Sequence, residues 1–196
     1  MNLPFLQAAE ENRQVILEAV RPYLRGSVLE IGSGTGQHAV YFADQLPALN
    51  WQTSDLEENL AGIAARIEQC GPGNLPPPLQ LDVLGEWPDA RYDTIYSANS
   101  LHIIGEVAVA RFIDECGRHL HPDGNLVVYG PFNYHGEFTS ASNARFDEML
   151  KAKHPESGIK DFEWLDTLAR SAGMALEADI EMPANNRSLI WKKRTL

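Results

Sequence analysis

A chain of 196 residues, 44% hydrophobic and 22% charged, is long enough to bury one substantial core and short for two, so one domain over residues 1–196 is expected. No run approaches the roughly 20 apolar residues that a membrane-crossing helix needs, so no membrane partner is expected. Lys and Arg number 16 against 27 Asp and Glu, a net charge of -11, and the absence of a basic run argues against nucleic acid as a partner.

Residues 1–12 carry neither a basic n-region with an apolar core nor an Arg-rich amphipathic pattern, which makes the cytoplasm the expected location. Residues 12–24 place Val15, Ile16, Ala19, Val20 and Tyr23 at helical spacing. Residues 27–31 form a short apolar run ending in glycines, a buried strand, and residues 37–45 resume helical spacing. A second strand over residues 49–53 closes on Asp55, and residues 59–70 carry the Leu60, Ile63, Ala64 and Ile67 stripe of a helix. The prolines and glycines of residues 71–78 exclude regular structure and lead into a third strand at residues 79–81. A fourth strand over residues 92–98, a helix over residues 107–120, a turn at His121-Pro122-Asp123-Gly124 and a fifth strand over residues 125–129 continue the alternation, which implies a parallel sheet covered on both faces. Beyond it come a helix over residues 162–172 and two strands, 175–181 and 188–192, whose connection at residues 182–187 suggests an antiparallel hairpin at one sheet edge. Cys70 and Cys116, far apart and without a C-x-x-C, are expected to be reduced, packed thiols.

Gly32, Gly34 and Gly36 stand at a strand-to-helix junction, where missing side chains let backbone approach a ligand and a helix N-terminus offers free N–H groups. A dinucleotide fingerprint would want a third small residue at position 37, and Gln37 stands there, so the pattern is G-x-G-x-G. This disfavours a nicotinamide oxidoreductase, as does a C-terminal hairpin in place of a second mononucleotide half. Asp55 closes the second strand, where a doubly wound nucleotide site places a carboxylate for ribose hydroxyls; the alternative reading of Asp55-Leu56-Glu57-Glu58 is a helix cap. His119-x-His121 lacks the shared face and the carboxylates of a metal site, and no metal is expected.

Val28-Leu29-Glu30-Ile31-Gly32-Ser33-Gly34-Thr35-Gly36 followed by Thr53-Ser54-Asp55 resembles the first two motifs of the class I methyltransferases. Gln80-Leu81-Asp82-Val83, residues 92–99 and residues 120–128 resemble the next three segments of that class in order. Within it, Ala9-Glu10-Glu11-Asn12, residues 33–38, Asn99-Ser100-Leu101-His102-Ile103, Tyr129-Gly130-Pro131-Phe132 and residues 182–186 resemble the DUF938 family, which includes methyltransferase-like protein 26. The resemblance implies a Rossmann-like α/β fold with a seven-stranded, mostly parallel sheet, an antiparallel C-terminal hairpin and helices on both faces. It implies S-adenosylmethionine as cofactor and S-adenosylhomocysteine as product, with Glu30 at the methionine end, Gly32, Ser33, Gly34 and Gly36 lining the cofactor, Asp55 on the ribose, Asp82 and Val83 framing the adenine and Asn99 beneath the sulfonium.

Methyl transfer needs alignment more than a strong catalyst. If a base takes part, His102, just past the fourth strand, is the first candidate and His135 the second. The loop after strand five leaves the carboxyl end of the sheet, where open α/β sheets place substrates, so Phe132, Asn133, Tyr134 and His135 are candidate substrate residues, with Asn185 and Asn186 of the last hairpin. The expected activity is methyl transfer to a small-molecule acceptor. The alternative is a non-catalytic S-adenosylmethionine-binding module acting through a protein partner.

Overall fold

The computed structural model describes residues 3–195; Met1 and Asn2, which head the segment read for a targeting signal, and Leu196 lie outside them. Its strands are β1 (Ser27–Ile31), β2 (Asn50–Asp55), β3 (Leu79–Gln80), β4 (Tyr92–Ala98), β5 (Leu120–Gly130), β6 (Phe132–Asn133), β7 (Lys160–Asp161), β8 (Met174–Met182) and β9 (Asn186–Lys193). The helices are α1 (Gln7–Val20), α2 (Gln37–Gln45), α3 (Glu57–Cys70), α4 (Glu106–His119), α5 (Ala141–Lys153) and α6 (Phe162–Ser171). Seven strands form one sheet in the order β3-β2-β1-β4-β5-β9-β8, parallel as far as β5, with β9 antiparallel to both β5 and β8. β6 and β7 pair separately.

Alternation along the buried strands sends residues to two cores. Leu29, Ile95, Leu126, Leu189 and Trp191 pack with Val109, Phe112 and Ile113 of α4 and Leu165 and Ala169 of α6. Val28, Trp51, Tyr96, Val127 and Ile190 pack on the other face with Ile16, Leu17 and Val20 of α1 and Ala39, Phe42 and Ala43 of α2. Burial on both faces is why β1, β4 and β5 read as apolar runs. The Pro-rich connection before β3 is anchored by Asn74, whose Nδ2 donates to the carbonyls of Ala43, Leu46 and Leu49 at 2.8–3.2 Å.

Several boundaries differ from the sequence expectation. α1 begins at Gln7 because its first turn, Gln7-Ala8-Ala9-Glu10, is helix-favouring without an apolar stripe, and it ends before a short 3-10 turn at Arg21–Tyr23 that holds Pro22. The turn expected at residues 121–124 is absorbed into an irregular start of β5, with Asp123 at φ 62°. The β8–β9 connection is shorter than residues 182–187: Met182 already pairs with Asn186, and Ala184 and Asn185 take positive φ. α5 is absent from the sequence expectation. Its N-terminus is marked by Ser140, whose Oγ accepts from Asn143 N at 3.1 Å, but two of its buried residues, Asn143 and Asp147, are polar, so an apolar stripe could not reveal it. Cys116 is buried as expected, whereas Cys70 is exposed at the end of α3.

Candidate functional site

The order of strands reverses between β1 and β4, and the carboxyl ends there open a crevice where doubly wound sheets hold ligands. The glycine loop closes one side of it. Gly32 N and Ser33 N donate to Ser54 O at 3.1 and 3.0 Å, and Gly34 N donates to Asp55 Oδ2 at 2.6 Å. Gly32 has φ 74°, and a β-carbon there would meet Ser100 Oγ at 2.5 Å. At Gly34 a β-carbon would meet nothing within 4 Å, so the loop offers bare backbone outward. Gly36, at φ 72°, opens α2 with no side-chain cap, leaving a helix N-terminus directed at the loop.

Asp55 is buried at the end of β2. Besides Gly34 N, its carboxylate accepts from Leu56 N and Asn59 Nδ2, each at 2.8 Å. It therefore joins the glycine loop to the start of α3, combining part of the capping role with a position on the crevice. Leu56 beside it is 42% exposed, an apolar face that no motif singles out. Across the crevice Asp82 is exposed and accepts from Leu84 N at 2.9 Å, while Val83 packs partly against the α4–α6 core.

Glu30 lies on β1 facing α1 and α2, 2% exposed. Ser33 Oγ and Trp51 Nε1 donate to its Oε2 at 2.9 and 3.1 Å. Burial outweighs these two donors and pushes its pKa up to about 7, with Asp55 adding a smaller push in the same direction. Thr53 and Tyr96 flank Glu30 in register on β2 and β4, and both carry buried hydroxyls with no hydrogen-bond partner among the described residues. Burial and the nearby Glu30 raise the Tyr96 hydroxyl well above its usual range. The bare loop, the uncapped helix, the Asp55 carboxylate and this polar end together suit an adenosyl ligand carrying an amino-acid tail.

Gln37, which separated this loop from the dinucleotide fingerprint, has a role that position alone did not suggest. Its Oε1 accepts from Leu6 N at 2.7 Å and Thr35 Oγ1 at 3.0 Å, and its Nε2 donates to Glu10 Oε2 at 3.3 Å. Arg66 of α3 donates to Thr35 O at 2.6 Å and to Pro4 O. The N-terminal segment is thus fastened across the outside of the glycine loop.

On the other side of the crevice Asn99 takes φ 58° and donates its amide to Tyr129 O at 2.8 Å. His102 is 6% exposed, with the Phe146 ring of α5 edge-on at 5.3 Å. Burial, and then the charge of Lys160, push its pKa down to about 4, so the ring is neutral at pH 7. Gly158 N donates to His102 O and Ser157 Oγ to Ile103 O, at 2.9 and 2.5 Å, which braces the turn. His102 Nδ1 and Asn99 Oδ1 converge on Gly130, at 3.6 and 3.9 Å from where its β-carbon would stand.

The remaining candidates have different immediate surroundings. Phe132 is 1% exposed and packs in the α4–α6 core. Asn133 Oδ1 is buried without a partner. Tyr134 OH donates to Asp179 Oδ2 at 2.8 Å, and its ring stacks on Phe162. His135 sits at the tip of a tight turn closed by Tyr134 and Glu137; its side chain is 85% exposed and lies 3.1 Å from Glu163. Asn185 O accepts from Asn143 Nδ2 at 3.2 Å, and Asn186 Nδ2 donates to Pro183 O at 3.3 Å.

Two cavities of about 350 and 400 Å³ open elsewhere, one beside Arg118 and Lys193 and one beside Glu106 and Lys160. Among the described residues no group of three or more His, Cys, Asp or Glu could hold a metal ion, and no helix is long and apolar enough to cross a membrane.

This sheet order, with a glycine loop after β1 and an acid closing β2, defines the Rossmann-like fold of the class I methyltransferases. Within that fold the chain belongs to the DUF938 family, described as a protein of unknown function, which it matches over residues 3–193. Among solved structures it is similar to an O-methyltransferase family protein from Burkholderia thailandensis, with a TM-score of 0.85 at 16% identity over 96% of this chain and 57% of that one. It is similar to human N-acetylserotonin methyltransferase in complex with SAM, at 0.83 and 15% identity over 96% and 53% of the two chains. The S-adenosylmethionine-dependent methyltransferase SibL in its apo form gives 0.81 and 18% over 96% and 56%. At these identities the likeness is one of fold, and the chain spans a little over half the length of each protein.

Proposed function

We propose that this protein transfers a methyl group from S-adenosylmethionine to a small, uncharged acceptor. The observation that carries the reading is the 2.6 Å hydrogen bond from Gly34 N to Asp55 Oδ2, which holds an exposed glycine backbone and a ribose-type carboxylate together at the strand-order reversal. When bound, S-adenosylmethionine would supply an electrophilic methyl group that needs an aligned nucleophile more than a strong base. Glu30 and Ser33 would hold the methionine end, Gly32, Gly34 and Gly36 the backbone-lined middle, Asp55 the ribose, and Asp82, Val83 and Leu56 the adenine.

Asn99 would lie under the reacting centre, and His102 would take the acceptor's proton. A ring with a pKa of about 4 is a weak base, but it is free to accept at pH 7. Methylation of a neutral hydroxyl gives a product far more acidic than an imidazolium, so a weak base suffices. Tyr134, Asn133, Asn185 and Asn186 are proposed to border the acceptor mouth from the β5–β9 side. Phe132 is proposed to support that mouth from the core, and His135, turned toward Glu163, to stand at its rim.

The test is thermal unfolding with S-adenosylmethionine, S-adenosylhomocysteine and NAD in parallel. A ligand at 100 times its Kd adds about 2.7 kcal/mol, a rise of roughly 5 to 11 °C for a chain this size. A rise with both adenosyl ligands and none with NAD is expected, and no rise with either adenosyl ligand would remove the reading.

A further inference from the structure

Most glycines in this chain have a local reason to be glycine. Gly32 and Gly36 carry positive φ, and at Gly117 and Gly124 a β-carbon would strike backbone oxygen at 2.5 and 2.9 Å. Gly130, the last residue of β5, has neither reason. It is not among the glycines with positive φ. Within 4 Å a β-carbon there would meet His102 Nδ1 and Asn99 Oδ1 alone, at 3.6 and 3.9 Å, which is ordinary van der Waals contact. The fold by itself would accept alanine, and the missing side chain leaves a gap of about methyl size in a packed region.

The walls of that gap carry chemistry. With the imidazole hydrogen on Nε2, His102 Nδ1 presents a lone pair, as Asn99 Oδ1 does, so two acceptors face one space and call for a donor. A carboxylate or phosphate would meet two lone pairs there. An ammonium would be desolvated near Lys160, whose buried amine is held by Gly158 O at 2.8 Å. The charges of Glu106 of α4 and of Asp147 and Lys151 of α5 act on Lys160.

We propose that Gly130 is the residue that admits the methyl acceptor: the gap beside it takes the X–H end of an uncharged hydroxyl or amine, hydrogen-bonded to His102 Nδ1 and Asn99 Oδ1. This rests on the methyl-transfer reading above. The acceptor's lone pair forms the bond to the methyl carbon as the carbon–sulfur bond breaks, its electron pair staying on sulfur. The X–H proton passes to His102 and then to solvent.

The experiment follows the Gly130 amide and His102 imidazole ¹⁵N resonances of wild type and Gly130→Ala, with and without S-adenosylhomocysteine, on adding phenol, benzoate or benzylamine, the last protonated at neutral pH. Phenol is expected to shift both resonances in wild type and the two charged probes to leave them in place. In Gly130→Ala phenol should bind about tenfold more weakly or worse, the effect of one misplaced methyl group in a fitted site, while the thermal shift with S-adenosylhomocysteine stays at the wild-type value. Equal phenol binding by the variant, benzoate binding as well as phenol, or no phenol response in wild type, where the gap then holds only water, would each overturn the proposal. The phenol pattern without any shift from S-adenosylhomocysteine would support the gap and overturn the reaction assigned to it.

Discussion

The two sides of the carboxyl edge of the sheet are built by different means. On the β1–β2 side the parts come from short stretches of chain, and backbone makes the contacts: Gly32 N, Ser33 N and Gly34 N all bond to the last residues of β2. On the β4–β5–β9 side the parts are side chains drawn from distant elements, with His102 set against Phe146 of α5, braced by residues 157 and 158, and α5 tied to the last hairpin through Asn143. A surface made of backbone and one carboxylate would suit the adenosine part of the proposed cofactor, which is the same in S-adenosylmethionine and S-adenosylhomocysteine. A surface assembled from separate side chains can be altered one residue at a time to fit a different acceptor.

The sharpest way to break that comparison is Asp55→Ala. It should abolish the thermal shift with S-adenosylhomocysteine and cost about 2 kcal/mol of stability in urea melts, because the amides of Gly34 and Leu56 lose a charged acceptor. If the shift survives, Asp55 does not hold the ribose.

Glu30 gives an effect of comparable size, through pH. Its folded pKa of about 7 lies above the ordinary 4.5, so between these values the folded state binds more protons than the unfolded, and stability falls as pH rises through that window. The integrated loss is about 3 kcal/mol. His38 and His102, both pushed down to about 4 by burial, act in the opposite sense, their stability being present above pH 6.5 and lost as pH falls toward 4. The difference between wild type and Glu30→Gln isolates the carboxyl. The variant should gain on wild type as pH rises from 4.5 to 7, and parallel curves would mean that Glu30 titrates normally.

The smallest effect sharpens the other side. Asn143→Ala removes the donor to Asn185 O and Thr139 Oγ1 and should cost about 1 kcal/mol. Amide exchange should accelerate in α5 and the Ala184–Asn185 turn while β1, β2 and the shift with S-adenosylhomocysteine stay unchanged. Uniform acceleration across the sheet would show that α5 is part of the main cooperative unit.

The same division explains what could be read in advance. The strands flanking the glycine loop, α2, α3, α4 and the C-terminal hairpin follow from local periodicity and turn chemistry, and they appear within a few residues of the expected bounds. α5 did not, because Asn143 and Asp147 are buried for tertiary hydrogen bonds rather than for apolar contact. β6 and β7 are two residues each and exist only as partners of one another. Trp51 as a donor to Glu30 was hidden in strand register, and Gln37 as a clasp on Leu6 in the return of α1 across the loop. Among the acceptor candidates, residues 132–135 shared a loop in sequence, yet Phe132 pairs in β6 and packs in the core, whereas His135 stands at the exposed tip of the turn that Tyr134 and Glu137 close.

The sequence by itself determined the parallel sheet, the glycine loop and the acid at the end of β2, because those depend on residue spacing over a few positions. Only the tertiary structure decided that Glu30 is buried beside Trp51, that His102 is neutral against Phe146 and Lys160, and that Gly130 leaves a gap between His102 and Asn99. Desolvation and empty volume belong to the packed whole, and no local run of residues encodes either.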